Sequence, residues 1–249
     1  MPPTSDIIAL SVIIFIASAV RGFTGFGLAL VAVPLIQFFL PVSDTAVFIA
    51  LVNICFSIFY FNRSKQHIAG KPIGTMALWT GAGVAGGTAV LKFVNPAYIQ
   101  LAWGILILFI VIALARGINF GIRTEKHAFR ISGLLGGMLA GATGITGPPV
   151  AIILSSIKTP REKFSAVLSL FILIAVSFAF VFYFAAGLIH LRILLLALVT
   201  IPAMLAGLYA GDRLVSHINQ KTFTIVIYIV LVIMGIITIY KGTKTIFVF

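Results

Sequence analysis

Apolar residues run along this 249-residue chain in long unbroken blocks, separated by short polar gaps that hold nearly all the charged side chains. Runs such as Ile99–Ala115 and Phe223–Tyr240 lack the two-residue alternation of a barrel strand and predict helices. Ten segments emerge, at 6–20, 27–40, 44–61, 72–92 and 97–115, then at 128–142, 148–158, 163–186, 190–211 and 221–240. The second and first segments of each half are short: about 14 helical residues cover about 21 Å, less than the roughly 30 Å of a hydrocarbon core. They read as half-helices meeting at a broken, re-entrant tip, or alternatively as two short, tilted spans.

Composition turns this pattern into a membrane protein. The chain is 61% hydrophobic and 9% charged, with a mean hydropathy of +1.21 and no polar stretch long enough for a water-soluble domain. Backbone N–H and C=O groups find no water in hydrocarbon, so a spanning chain must satisfy them internally, as helices do.

The segments also repeat. Gly22-Phe23-Thr24-Gly25 returns 122 residues later as Gly144-Ile145-Thr146-Gly147. Gly83 and Gly87 return as Gly207 and Gly211, and Asn95 as Asn219, each 124 residues on. Pro41 and Pro160, each near an acidic residue, open corresponding segments 119 residues apart. Landmarks in one order indicate a duplication. Residues 1–120 form one repeat and 121–249 the other, together one transmembrane domain. Five segments per half force the second half to enter from the opposite side. The expected fold is therefore all-α and polytopic, with two inverted-topology repeats, each a broken or re-entrant hairpin plus three transmembrane helices.

A net charge of +12 would suggest nucleic acid in a soluble protein, but no basic stretch combines with stacking aromatics in a polar segment, so no nucleic-acid partner is expected. The charge reads instead as orientation. On one side fall Arg63, Lys65, Lys71, Arg116, Arg123, Lys126, Arg130, Lys158, Arg161, Lys163, Arg213 and Lys221; on the other, Lys92, Arg192, Lys241 and Lys244. Twelve against four places both termini outside by the positive-inside rule. Met1–Asp6 carries an acid and no Lys or Arg, which argues against a cleaved signal peptide despite Ala17-Ser18-Ala19. The lone Cys55 excludes an intrachain disulfide and reads as a small buried hydrophobe.

The seventeenth basic residue, Arg21, sits at the first tip. An Arg within the membrane costs about 2.5 kcal/mol or more, so it needs a partner or a functional anion, unless it snorkels to an interface. Pro148-Pro149 after Gly147 suits a first helical turn, and Leu28 opens the matching helix. Two helix N-termini would then point positive dipole ends inward and attract anions. The candidate substrate-binding residues are Arg21, Gly22, Thr24, Gly25, Gly27, Asn53, Thr143, Gly144, Thr146 and Gly147. Asn53 serves either as interhelical glue or as a ligand contact, and the threonine hydroxyls either donate to a ligand or bond their own backbone. The glycine clusters at 81–87, 133–141 and 207–211 read as close helix packing, and the tryptophans and tyrosines as interface anchors or packing.

The five acids lie at or near segment ends, so no mid-membrane carboxylate is available for a proton relay. There is no H-E-x-x-H and no Gly-x-Ser-x-Gly, and the four histidines are dispersed near loops. Neither a metal nor a cofactor is expected, and an intramembrane enzyme, the runner-up from a different class, finds little support.

Arg21-Gly22-Phe23-Thr24-Gly25-Phe26-Gly27 followed by Pro34, with Gly141-Ala142-Thr143-Gly144-Ile145-Thr146-Gly147-Pro148-Pro149, resembles the sulfite exporter TauE/SafE family. Size, duplication and segment order are similar over essentially the whole chain. The resemblance implies a carrier of the bacterial plasma membrane that exports sulfite or small organosulfonates such as sulfoacetate. Its partners would be that anion and the bilayer, and a homo-oligomer is compatible with the pattern. A passive anion channel is the alternative. Cysteines engineered near residues 67 and 190 should label from opposite sides of the membrane; labelling from the same side would contradict the inverted arrangement.

Overall fold

The computed structural model describes residues 4–24, 27–64, 72–116, 124–156, 161–214 and 220–247. Ten helices follow the apolar segments in order: α1 Thr4–Thr24, α2 Leu28–Ile36, α3 Val42–Ser64, α4 Pro72–Phe93, α5 Pro96–Arg116, α6 Glu125–Thr143, α7 Gly147–Ser156, α8 Arg161–Ala185, α9 Leu191–Leu214 and α10 Gln220–Phe247. Their ends carry recognisable stop and start chemistry. Asn95 accepts the Ala97 N–H at 2.9 Å and so caps the start of α5, while Thr124 caps α6 by accepting from the His127 N–H. Pro148 and Pro149 occupy the first turn of α7, as expected from their fixed φ and missing N–H.

Two expectations are corrected. The first segment of each half is not a half-helix: α1 has 21 residues and α6 has 19, about 31 and 28 Å long. Only α2 and α7 are short, with 9 and 10 residues. The helix continues through Arg21 and Gly22 because Gly22 lies flat against another helix: a Cβ there would meet the Leu208 carbonyl at 3.0 Å. Lys241 and Lys244 likewise lie inside α10 and not in a terminal loop. A cation is favoured near a helix C-terminus, and the long lysine stem can lie along apolar surface.

Among the described residues five helices, α1, α5, α8, α9 and α10, contain windows long and apolar enough to cross a bilayer. Large apolar side chains also face outward, including Leu78, Phe93, Phe184 and Leu191, which are 71–79% exposed. Such a surface matches lipid and not water. Inside, α3 packs on α8, and the fully buried Phe48, Phe56, Phe171 and Tyr183 fill the space around them.

The most extensive contacts are α4 with α6, α1 with α9, and α5 with α10. The first two are parallel pairs: Gly83 and Gly87 of α4 face Leu134 and Met138 of α6, and Gly207 and Gly211 of α9 face Phe15 and Ala19 of α1. The glycine clusters are therefore packing seams. A Cβ at Gly87 would lie 2.1 Å from the Met138 carbonyl oxygen, and one at Gly211 would lie 2.3 Å from that of Ala19. Without a hydrophobic drive between helices in lipid, such close backbone approach supplies the van der Waals contact that joins them. Gly87→Ala should destabilise the α4–α6 seam by about 1–3 kcal/mol, seen as a lower thermal unfolding midpoint in detergent. Gly86→Ala, where nothing lies within 4 Å of an added Cβ, should not; equal midpoints for the two would contradict the seam.

Candidate functional site

Arg21 lies in the last turn of α1 and is 3% exposed, so it does not snorkel to an interface. Its Nη1 donates to Asn53 Oδ1, its Nη2 reaches Ser57 Oγ at 3.4 Å, and its guanidinium stacks over the Phe56 ring at 3.7 Å. All three partners belong to α3, and Asn53 is the twelfth of its 23 residues. A charged hydrogen bond contributes about 1.5–3 kcal/mol, and a desolvated cation–π contact about 2 kcal/mol. Together these are of the size needed to hold an Arg in apolar surroundings. These three partners are neutral groups of α3 that fix the position of the guanidinium.

Asn53 is itself 1% exposed, and its orientation follows from chemistry: a guanidinium only donates, so the amide oxygen must face it. The amide nitrogen then points elsewhere, and Nδ2 is buried with no hydrogen-bond partner among the described residues. Burying such a donor unpaired is costly. Arg21 and Asn53, chosen separately in the sequence, thus form one unit.

The second tip rests on the same helix. Gly144 ends α6 in the left-handed conformation with φ of 79°, which favours glycine. It also touches α3: a Cβ there would meet the Ala46 carbonyl at 2.9 Å and the Ile49 side chain at 3.2 Å. Ile49 and Asn53 are one helical turn apart, about 6 Å. α3 therefore carries both the contact with Gly144, at Ala46 and Ile49, and the partners of the Arg21 side chain, from Asn53 to Ser57.

The remaining candidates are placed as follows. Gly22 packs against α9 as described above. Gly27 stands at the start of α2 in helical conformation with no side chain to cap it. Thr143 is buried at the end of α6; its hydroxyl donates to the Leu139 carbonyl and its oxygen accepts from the Ile145 N–H at 3.4 Å. Thr146 is buried immediately before α7, and Gly147 begins that helix. Thr24 closes α1, but its side chain and all of Gly25 lie outside the described residues.

The tips are chemically unequal. A helix leaves its first four N–H groups without intrahelical partners, and Pro148 and Pro149 remove two of those at α7. At α2 the first residues are Leu28, Ala29 and Leu30, each with its N–H. The first tip is thus richer in donors. The second is held by a residue that sequence reasoning grouped with the interface anchors or packing and gave no site role: Tyr183 of α8 is fully buried and its hydroxyl lies 2.9 Å from both the Ala140 and Gly141 carbonyls. Phe56 and Ser57 were equally unmarked. Their roles depend on partners 35 and 36 positions away, which no local pattern announces.

Outward-facing apolar helices packed around buried, broken backbone define a polytopic membrane protein. The sequence model of the family described as Sulfite exporter TauE/SafE matches residues 10–238, and the chain belongs to that family. The family consists of membrane transporters, so the chain is a transporter and not an enzyme. It is similar to a protein from Cupriavidus necator described as "Probable sulfite/organosulfonate exporter TauE", with 24% identity over 220 residues covering 85% of each chain. No solved structure matches the chain.

Proposed function

We propose that this protein exports a small oxyanion, sulfite or a small organosulfonate such as sulfoacetate, across the bacterial plasma membrane. The observation that carries this reading is the unspent Asn53 amide donor beside the buried Arg21 guanidinium. A site with a fixed positive charge, an adjacent N–H donor and a nearby helix N-terminus suits a compact anion, because each element meets negative charge without needing a proton. The description of the Cupriavidus necator relative supports the choice of sulfite and organosulfonates within the oxyanions.

The site lies between the two tips on α3. Arg21 attracts and orients the anion, Asn53 donates to one oxygen, and the first turn of α2 after Gly27 faces it with its N–H groups. Gly22 lets α1 pack closely on α9 and so sets where Arg21 stands. At the second tip, Gly144, Thr146 and Gly147 shape the opposite wall, and Thr143 acts through its contact with the Ile145 amide more than as a donor.

The two halves work as inverted repeats with both termini outside. Shifting each helix by five positions exchanges the α4–α6 seam with the α9–α1 seam and maps α5–α10 and α3–α8 onto themselves, which supports a two-fold relation. Alternating access would then consist of one set of seams rocking against the other around α3 and α8. A carrier is favoured over a channel because the described site is closed by bonded side chains. Arg21→Ala should reduce sulfite flux in proteoliposomes by about ten- to a hundredfold, the loss of one charged contact, while insertion and abundance are retained. Unchanged flux would remove Arg21 from the site, and Arg21→Gln provides the same test if the alanine variant is poorly made.

A further inference from the structure

A cavity of about 820 Å³ lies between α4, α5, α6 and α7, away from Arg21. Its walls are aliphatic and aromatic, and Thr143 at its inner end has its hydroxyl engaged with the Leu139 carbonyl. Water needs two to four polar partners to occupy such a space, and this wall offers little beyond the indole of Trp103. That indole is 2% exposed, and its Nε1 has no hydrogen-bond partner among the described residues. A sulfite ion would find no compensation there.

The outer rim of the cavity includes Tyr98, Phe109, Leu135 and Met138, which are 45–56% exposed and continuous with the apolar face that meets the bilayer. The cavity thus opens onto the lipid interface. The corresponding place in the other half, between α10 and α2, is shut: Lys241 Nζ donates to the Gln37 carbonyl at 3.1 Å and stacks on Phe38 at 3.8 Å. α5 and α7 have only sparse contact by comparison.

We infer that an acyl chain of a membrane lipid occupies this cavity and wedges α5 away from α7, resting against the second tip at Thr143 and Pro149. Lipid is the solvent at the rim, and an apolar cavity takes up apolar ligands readily. From Val94 at the end of α4 to Phe109 on α5 the lining follows the membrane-spanning direction, with the entrance at the helix ends near Tyr98. A lipid entering there brings its ester oxygen toward the Trp103 donor, which no residue described here satisfies. The cavity shares Thr143 and the second tip with the proposed anion site but not Arg21 or Asn53, so flux in Arg21→Ala and quenching at Trp103 test the two assignments separately.

The chain has two tryptophans, and Trp79→Phe leaves Trp103 as the sole reporter. Reconstituted in phosphatidylcholine vesicles with brominated acyl chains, this variant should lose most of its Trp103 emission relative to unbrominated vesicles. Ala102→Phe, which fills the rim, should restore it; Leu135→Phe from the facing wall does the same if the first variant fails to assemble. Equal emission in the two lipids, or quenching that neither substitution relieves, would overturn the proposal. Equal emission together with a spectral shift on adding decanesulfonate would assign the cavity to a hydrophobic anion and overturn it equally.

Discussion

A guanidinium removed from water is the constraint on which the site depends. Arg21 is buried at the end of α1, and its position is set by α3 through Asn53, Phe56 and Ser57. That requirement couples distant choices in the chain. α1 must reach far enough to place Arg21 against the middle of α3, which it does as a 21-residue helix lying along α9. The approach is possible because Gly207 and Gly211 present bare backbone to Phe15 and Ala19. The seam and the charge are thus parts of one arrangement: without the glycines, the arginine could not sit where its partners are.

The same helix α3 carries the other tip at Ala46 and Ile49, yet the two tips perform different work. The first supplies charge, an amide donor and a helix start with its N–H groups intact. The second surrenders two of those groups to Pro148 and Pro149 and takes its rigidity from a left-handed glycine and from Tyr183 bonded to the last carbonyls of α6. In the proposed mechanism the anion therefore engages mainly the first tip, while the second acts as a shaped wall that moves with α6 and α7.

Much of this was legible in the sequence, for identifiable reasons. The ten segments stand out because hydrocarbon tolerates only apolar helices of sufficient length, and the polar gaps between them are short. The turn chemistry of Pro148-Pro149 is local, so it reads directly. Arg21 was conspicuous as the one basic residue outside the loop pattern, at the first tip, and Asn53 as an amide among aliphatic neighbours; their pairing was not visible, because it spans 32 positions. The length of α1 was misread because Arg21-Gly22 looks like a break until the facing backbone of α9 is known. The role of Tyr183 was hidden for the same reason: interface anchoring and packing are indistinguishable for a tyrosine near the end of an apolar run until its partner carbonyls are in place.

In the proposed mechanism a fixed positive site carries a small oxyanion through alternating exposure. Counterflow of labelled sulfite in proteoliposomes tests it most directly. Uptake should saturate, and unlabelled sulfite or sulfoacetate trapped inside should accelerate it, as expected of a carrier that returns loaded. Uptake indifferent to the trapped anion, accompanied by large unitary currents, would contradict the account and establish an open pathway in its place.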